Sequence, residues 1–405
     1  MTKKSRVAEE LAKEGNISII NLVDAIVEEA YTLKSSDIHI DPTAKSVTVR
    51  MRIDGVLQDI YTLPKEIQSE IVTRIKVLAG LRTDEHQTPQ DGRFRTDVPD
   101  VGPIDIRVAI APTHYGENAV LRLLSENSEK FTLEMLGFDD KDAKRIREAI
   151  KKPYGMILVT GPTGSGKTTT LYTVLKDLNT KEVAIITIED PIEYAIDGIN
   201  QMQVNSRTGM TFANGLRSML RQDPDIIMVG EIRDSETSGL AVNTALTGHL
   251  VLSTLHTSDA ATTLPRLIDL GVEPYLITAT VNVVIGQRLV RTICNSCKTK
   301  KQLTDLEKES IQGMEGADVL QHTHEVYHGT GCDECTGSGY KGRMGIYEVM
   351  PIDEPIREAM LRRCSSTEMR KIAIQNGMKS MIKDGFNKVA SGKTTLEEVL
   401  RVIHE

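Results

Sequence analysis

Apolar residues recur at helical spacing from Ile17 to Leu33, with Ile20, Val23, Ile26 and Val27 predicted on one face. After SSDIHIDP the spacing changes to alternation. Ser46–Ile53 and Val56–Tyr61 read as two strands joined at Asp54-Gly55, a strong hairpin signal. A helix over Lys65–Leu78 follows, then strand-like runs around Phe94, Ile104–Ile110 and Ala119–Leu124. The next segment, Ser125–Lys130, is polar and lacks periodicity, which marks a linker.

From about residue 131 short apolar runs at Met156–Val159, Ala184–Ile188, Ile226–Val229 and Leu250–Leu252 alternate with helical stretches. Continuous apolar strands between helices are what a parallel sheet covered on both faces requires. The tail from about Glu354 is helical again, with Ile356, Met360, Met369 and Ile372 as core positions, and the chain carries no internal repeat. The pattern therefore predicts an α+β domain over 1–125, a linker over 126–135 and an α/β domain over 136–405.

Composition refines this picture in three ways. The chain has 405 residues, 40% hydrophobic and 26% charged, enough for two or three domains with cores of their own. No apolar run reaches 18 residues, and MTKKSRVAEELAKEG lacks the apolar centre of a signal peptide, so a cytoplasmic location is expected. A formal charge of −8 argues against generic nucleic-acid binding, although a local basic groove is compatible with it.

The chemistry is concentrated in the second domain. Gly161–Thr168 reads GPTGSGKT and follows the run Met156–Val159, the arrangement of a phosphate-binding loop between a strand and a helix. Its glycines let successive N–H groups face a phosphate, with the positive end of the helix behind them. Lys167 is placed to reach the β- and γ-phosphates of a nucleotide and Thr168 to hold Mg²⁺. The expected nucleotide contacts are Gly161, Pro162, Thr163, Gly164, Ser165, Gly166, Lys167, Thr168 and Thr169.

Such a loop needs carboxylates for the metal and the attacking water. ITIEDPIEY supplies Glu189 and Asp190 toward the nucleotide and Glu193 for the water, because Pro191 ends the strand and sends Glu193 into a loop. DIIMVGEIRD supplies Glu231 for the Mg²⁺ shell, with Gly230 where an aspartate is usual in a second Walker motif. A solvated acidic turn and a surface glutamate are the alternatives. TGHLVLSTLHT then brackets a buried-type strand with His249 and His256, either of which could sense the γ-phosphate or bond a site carboxylate. Arg217 and Arg221 lie four apart on one helix face, placed to pair with the acidic segments or to couple nucleotide state to a neighbouring subunit.

Four of the five cysteines form two C-x-x-C pairs, Cys294 with Cys297 and Cys332 with Cys335. In a reducing compartment this pattern points to structural Zn²⁺ held by four thiolates, with a redox pair or ligand-free knuckles as alternatives. The site would lie in an inserted subdomain over 291–345. His322, His324 and His328 inside the insert read as surface histidines, and Cys364 as a small buried apolar residue.

Taken in order, GPTGSGKT, TIEDPIEY, LRQDPDIIMVGEIRD and TGHLVLSTLHT resemble the Walker A, aspartate, Walker B and histidine boxes of the secretion ATPase superfamily. Within it the chain resembles the type II secretion and type IV pilus assembly ATPases, from SDIHIDP near Ser36 to the C-terminus. The resemblance implies an α/β P-loop NTPase motor domain of RecA-like type, preceded by an α+β domain and carrying the zinc-binding insert. It implies ATP, Mg²⁺ and Zn²⁺, a homo-hexameric ring, and platform proteins of the inner membrane as partners to a peripherally bound motor. It also implies arginines of the first domain reaching the γ-phosphate: Arg93 in QDGRF and Arg107 in DIRVA, with Arg122 in VLRLL as a weaker match. The four cysteines favour assembly over retraction motors, which typically lack them. A retraction or DNA-uptake motor, or a zinc-ribbon scaffold that holds ATP without turnover, are the rival readings. Many relatives carry a further N-terminal domain that docks on a membrane partner, and this chain starts at or just before the domain that follows it.

Overall fold

The computed structural model describes residues 5–13, 16–99, 101–124, 131–321, 323 and 325–404; the segment Ser125–Lys130, His322 and His324 lie outside the described residues. The chain divides into two compact units, 1–128 and 129–405.

In the first unit β1 (Ser35–Pro42), β2 (Ser46–Ile53), β3 (Val56–Pro64), β4 (Gln90–Val98), β5 (Gly102–Thr113) and β6 (Gly116–Leu124) form one sheet in the order β3-β2-β1-β6-β5-β4. All of its ladders are antiparallel. The turn at Asp54-Gly55 has φ of 49° and 86°, the left-handed pair that matches the twist of a two-residue hairpin. One face of the sheet packs on the helices Ile19–Thr32 and Gln68–Leu78, burying Leu22, Val23, Ile26, Val27, Ile71 and Ile75 against Ile38, Val49, Ile106 and Leu121. Ile20 departs from expectation. Ser18 caps the helix, so Ile20 falls in its first turn and is 53% exposed, while Leu22 takes the inward place. The predicted helix over Lys65–Leu78 opens as a 3₁₀ turn, Lys65–Ile67, before the α-helix Gln68–Leu78.

In the second unit β7 (Gly155–Thr160), β8 (Ile185–Glu189), β9 (Asn200–Gln203), β10 (Ile226–Val229), β11 (Leu250–Leu255), β12 (Val281–Ile293) and β15 (Tyr340–Pro351) form one sheet. Between the last two lie β13 (Lys298–Lys301) and β14 (Val326–Gly329), which pair with each other. The sheet order is β15-β12-β7-β11-β10-β8-β9, parallel throughout except for the antiparallel β12–β15 pair. Alternate residues of the central strands feed two cores. Met156, Leu158, Ile227, Val229 and Val251 face one layer, and Ile157, Val159, Met228, Leu250 and Leu252 the other. Every residue of β7, β8, β10 and β11 is buried, which explains their unbroken apolar reading. Ile356, Met360 and Met369 join the first core, with Ile372 and Cys364 packed at its margin.

The insert between β12 and β15 has a small core of its own, with Leu303, Ile311, Leu320 and Val326 packed on Phe386, Val389 and Val399. Glu398 ties the end of β12 to this core. Its carboxylate accepts from the Arg291 Nη2 at 2.6 Å, the Arg291 N at 3.0 Å and the Arg401 Nε at 2.9 Å. Burial alone would raise its pKa; the Arg401 and Arg291 bonds overcome burial and hold it at about 2. A carboxylate depressed from 4.5 contributes stability that is complete above that pH and is lost as pH falls toward 2. Glu398→Gln is expected to lower the thermal midpoint by several degrees at pH 7 and much less at pH 3. Equal shifts at the two pH values would show that the charge is not what stabilises this corner.

Candidate functional site

The loop Gly161–Gly166 leaves the C-terminal end of β7 and enters the helix Lys167–Leu178. Thr160 anchors its start: its hydroxyl accepts from Thr257 N at 3.0 Å and has the carbonyls of Leu255 at 3.1 Å and Thr257 at 2.9 Å as acceptors for its one proton. Gly161 has φ 146°, and a Cβ there would lie 2.3 Å from the carbonyl oxygen of Gln287, so no larger residue fits. The Lys167 ammonium donates to the carbonyls of Gly161 at 2.9 Å and Pro162 at 3.0 Å. Burial lowers its pKa and the nearby charge of Glu231 opposes that shift. Ser165 Oγ is buried at the centre of the loop with no hydrogen-bond partner among the described residues. An orphaned hydroxyl beside a lysine in a glycine turn at a helix N-terminus fits a bound phosphate.

Glu231 stands two residues beyond β10, at the same edge of the parallel sheet as the loop. It is 9% exposed, and its carboxylate meets His256 Nε2 at 3.0 Å and Arg233 Nε at 2.7 Å. One backbone and one side-chain bond fix this corner: Ile232 N donates to Thr254 O at 3.0 Å and the Thr254 hydroxyl to Gly230 O at 2.7 Å. The structure thus joins Glu231 and His256 from separate motifs, and adds Arg233, which the pattern of the chain had not singled out.

His249 stands elsewhere. It precedes β11, donates from Nδ1 to Thr244 O at 3.1 Å, and its carbonyl accepts from Gly155 N, where β7 begins. The phosphate loop is at the other end of β7, a strand of six residues or about 20 Å, so His249 is removed from the site proper. Glu189 is likewise turned away from solvent. It accepts from Tyr172 Oη, from Thr187 Oγ1 at 2.6 Å and from Gln201 Nε2 at 3.1 Å, and burial raises its pKa. Asp190 is exposed, and Glu193 is half-buried in the following loop with its N–H 3.4 Å from Tyr172 Oη. Arg217 pairs with Glu236 at 2.6 Å, and Arg221 donates to the Arg217 carbonyl, so neither meets Glu189 or Glu231 in this structure.

Within the first unit Arg93 stands directly opposite Arg107, and Arg107 opposite Arg122, a row of three guanidinium groups across the face of β4, β5 and β6. The row ends on Asp37. Burial would raise that carboxyl, but Arg122 Nε at 2.8 Å holds it low, which commits Arg122 to a structural pair.

The four cysteines converge at the joint between β12 and β15. Cys294–Cys332 and Cys297–Cys335 are 3.8 Å apart and Cys332–Cys335 3.7 Å, sulfur to sulfur, with all four within 4.8 Å of one another. A Zn–S bond of about 2.3 Å implies a tetrahedral edge of about 3.8 Å, so the donors fit the ion. Backbone N–H groups of Cys332 and Gly339 donate to Cys335 Sγ at 3.2 Å and, against the effect of burial, draw its thiol down to about 6. Among the described residues this is the one cluster suited to a metal; His328 lies outside it, beside Thr299.

The family described as Type II/IV secretion system protein matches residues 12–401. The type IV pilus assembly ATPase PilB of Myxococcus xanthus is 44% identical over 97% of this chain and 69% of its own length. The type II secretion system protein E of Aeromonas hydrophila is 44% identical over 98% of this chain and 77% of its own. Among solved structures, the pilus retraction motor PilT with bound ADP superposes with a TM-score of 0.61 at 27% identity, covering 94% of this chain and 96% of that one. Among the described residues no helix is long and apolar enough to cross a membrane. The chain belongs to the Type II/IV secretion system protein family, in its branch of type II secretion and type IV pilus assembly ATPases.

Proposed function

We propose that this chain hydrolyses ATP as one subunit of a homo-hexameric ring and uses the work to assemble a type IV pilus or a type II pseudopilus at the cytoplasmic face of the inner membrane. The observation that carries the reading is the meeting of the glycine loop, Lys167, Glu231 and His256 at one edge of a parallel sheet. Relatives named for pilus assembly and type II secretion supply the cargo class.

In this reading Lys167 binds the β- and γ-phosphates, and the orphaned Ser165 hydroxyl faces the same ligand. Thr168 and Glu231 hold Mg²⁺, which when bound neutralises charge on the phosphate oxygens. His256 and Arg233 fix the direction of the Glu231 carboxylate. Glu193 orients the attacking water, and Arg93 with Arg107 answers the charge that develops on the transferred phosphoryl group. Glu189 is buried and accepts from Tyr172, Thr187 and Gln201, so it acts as a support for the helix behind the loop rather than as a ligand. The four cysteines hold Zn²⁺ as a structural clasp, with no coordination position left for chemistry. The platform that receives the work is a membrane protein complex of the secretion or pilus type.

Steady-state ATP hydrolysis per chain, measured with Mg²⁺ over a range of protein concentrations, tests the proposal. Specific activity is expected to climb with concentration and then level off, as a site completed by ring assembly requires. Absence of turnover at every concentration, with nucleotide still bound, would leave only the static scaffold.

A further inference from the structure

Gln287 is 1% exposed on β12, where the other buried positions are apolar or glycine: Val281, Val283, Val284, Ile285, Gly286, Val290 and Ile293. A buried amide is costly unless its groups are bonded. Here Nε2 donates to the Ser165 carbonyl at 2.6 Å, and Oε1 accepts from Thr170 Oγ1 at 2.8 Å. The same residue's main-chain carbonyl fills the space beside Gly161, and its Nε2 lies 3.3 Å from where a Cβ on Gly166 would be. Both ends of the phosphate loop therefore rest on one residue, the Gly161 end on its main chain and the Gly166 end on its side chain.

The consequence follows from peptide geometry. In a planar trans peptide the C=O and the following N–H point in opposite directions. Pinning the Ser165 carbonyl outward on Gln287 directs the Gly166 N–H into the loop, where a phosphate oxygen would accept it.

The contact continues across the sheet. Gln287 stands directly opposite Tyr347 on β15, so the two side chains share a face. The Tyr347 phenol donates to the Leu136 carbonyl at 3.0 Å, while its ring stacks on Phe138 at 3.6 Å between centroids. Leu136 closes the helix Leu133–Leu136, which begins within a few residues of the boundary with the first unit. The residue that braces the phosphate loop thus stands, across one strand pair, beside the residue that bonds to that segment.

We propose that Gln287 is a positioning residue that orients the Ser165–Gly166 peptide toward phosphate, and that Tyr347, set against Gln287 across the strand pair, carries the state of the loop to Leu133–Leu136. The proposal rests on the loop binding a nucleotide, so the test uses binding rather than turnover. MgADP affinity is measured by calorimetry, and amide exchange over residues 131–138 is followed with and without MgADP.

Gln287→Met keeps the volume and is expected to weaken MgADP roughly tenfold, the scale of one hydrogen bond, with a thermal midpoint within a few degrees of the parent. Thr170→Val should weaken binding less, and the double variant should show less than the sum of the two losses, as residues in one network do. Tyr347→Phe should leave affinity within twofold while abolishing the MgADP-dependent slowing of exchange at 131–138. An unchanged affinity in Gln287→Met overturns the positioning role, and additive losses overturn the network. Should Gln287→Met not fold, an unchanged affinity in Thr170→Val decides against the role equally. Exchange at 131–138 that ignores MgADP in the parent protein, or responds equally in Tyr347→Phe, overturns the transmission. Failure of the parent chain to bind MgADP at all overturns the nucleotide reading itself, and this inference with it.

Discussion

Lys167→Ala is expected to remove ATP turnover by about 10³-fold or more while moving the thermal midpoint by no more than a few degrees. The two halves of that expectation have separate causes. Among the described residues the ammonium bonds to the carbonyls of Gly161 and Pro162, both within its own loop, and burial already lowers its pKa. Among the described residues it joins no close ion pair, although the charge of Glu231 is near, so its removal costs the fold little. The loop, however, loses the cation that compensates several phosphate charges in a setting where water is partly excluded and charge interactions are strong. Glu231→Gln makes the matched comparison. It keeps the shape and one acceptor for His256 and Arg233 but removes the negative charge, so nucleotide affinity should change little while kcat falls about 10²-fold. Hydrolysis and equilibrium binding measured on both variants separate the roles. Turnover of Lys167→Ala within tenfold of the parent would end the case for this loop as the catalytic site.

What could be read from the chain alone was local in sequence. GPTGSGKT, the run into Glu231 and the two C-x-x-C pairs each carry their chemistry within a few residues, and each sits where strand and helix periodicity put it. The string TGHLVLSTLHT was legible as a strand bracketed by histidines. Which histidine meets Glu231 depends on the direction of β11 relative to β10, a parallel register that no residue in the string announces. Glu189 looked like a ligand because acidic residues at strand ends often are; its burial depends on Tyr172 and Gln201, which approach from a helix and a neighbouring strand. Gln287 was invisible for a stronger reason. Its partner Ser165 lies 122 residues away, and Tyr347 reaches Leu136 across 211. The one local hint was an amide set among the apolar residues of a buried strand.

The second large effect belongs to the cysteine clasp: Cys332→Ser is expected to reduce bound zinc from about one ion per chain to nearly none and to expose residues 294–340 to proteolysis. Structural zinc sites contribute on the order of 10 kcal/mol to folding, more than the other contacts at this joint can replace. Those contacts are hydrogen bonds and surface pairs of modest strength, among them Cys294 N to Gly339 O at 2.9 Å, Thr330 N to Cys297 O at 3.1 Å, Thr292 Oγ1 to Lys341 O, Tyr340 Oη with Thr395 Oγ1 at 2.8 Å, the exposed Lys341–Glu334 pair and the short β13–β14 ladder. The loss should nevertheless remain local. Leu303, Ile311 and Leu320 are held by Phe386, Val389 and Val399, and the Glu398–Arg291 pair grips β12 two residues inside its end, so fraying that starts at Cys294 meets a second clasp. Beyond it lie Gln287 and Tyr347, paired across the same two strands. ATP turnover should therefore fall only several-fold in Cys332→Ser and approach zero when Glu398→Gln is added, because fraying then reaches the residue that orients the phosphate loop. Metal analysis, limited proteolysis and turnover on the two single variants and the double variant decide the matter: one zinc retained in Cys332→Ser rules out four-thiolate ligation, and additive losses of turnover rule out the strand pair as the path between the two sites.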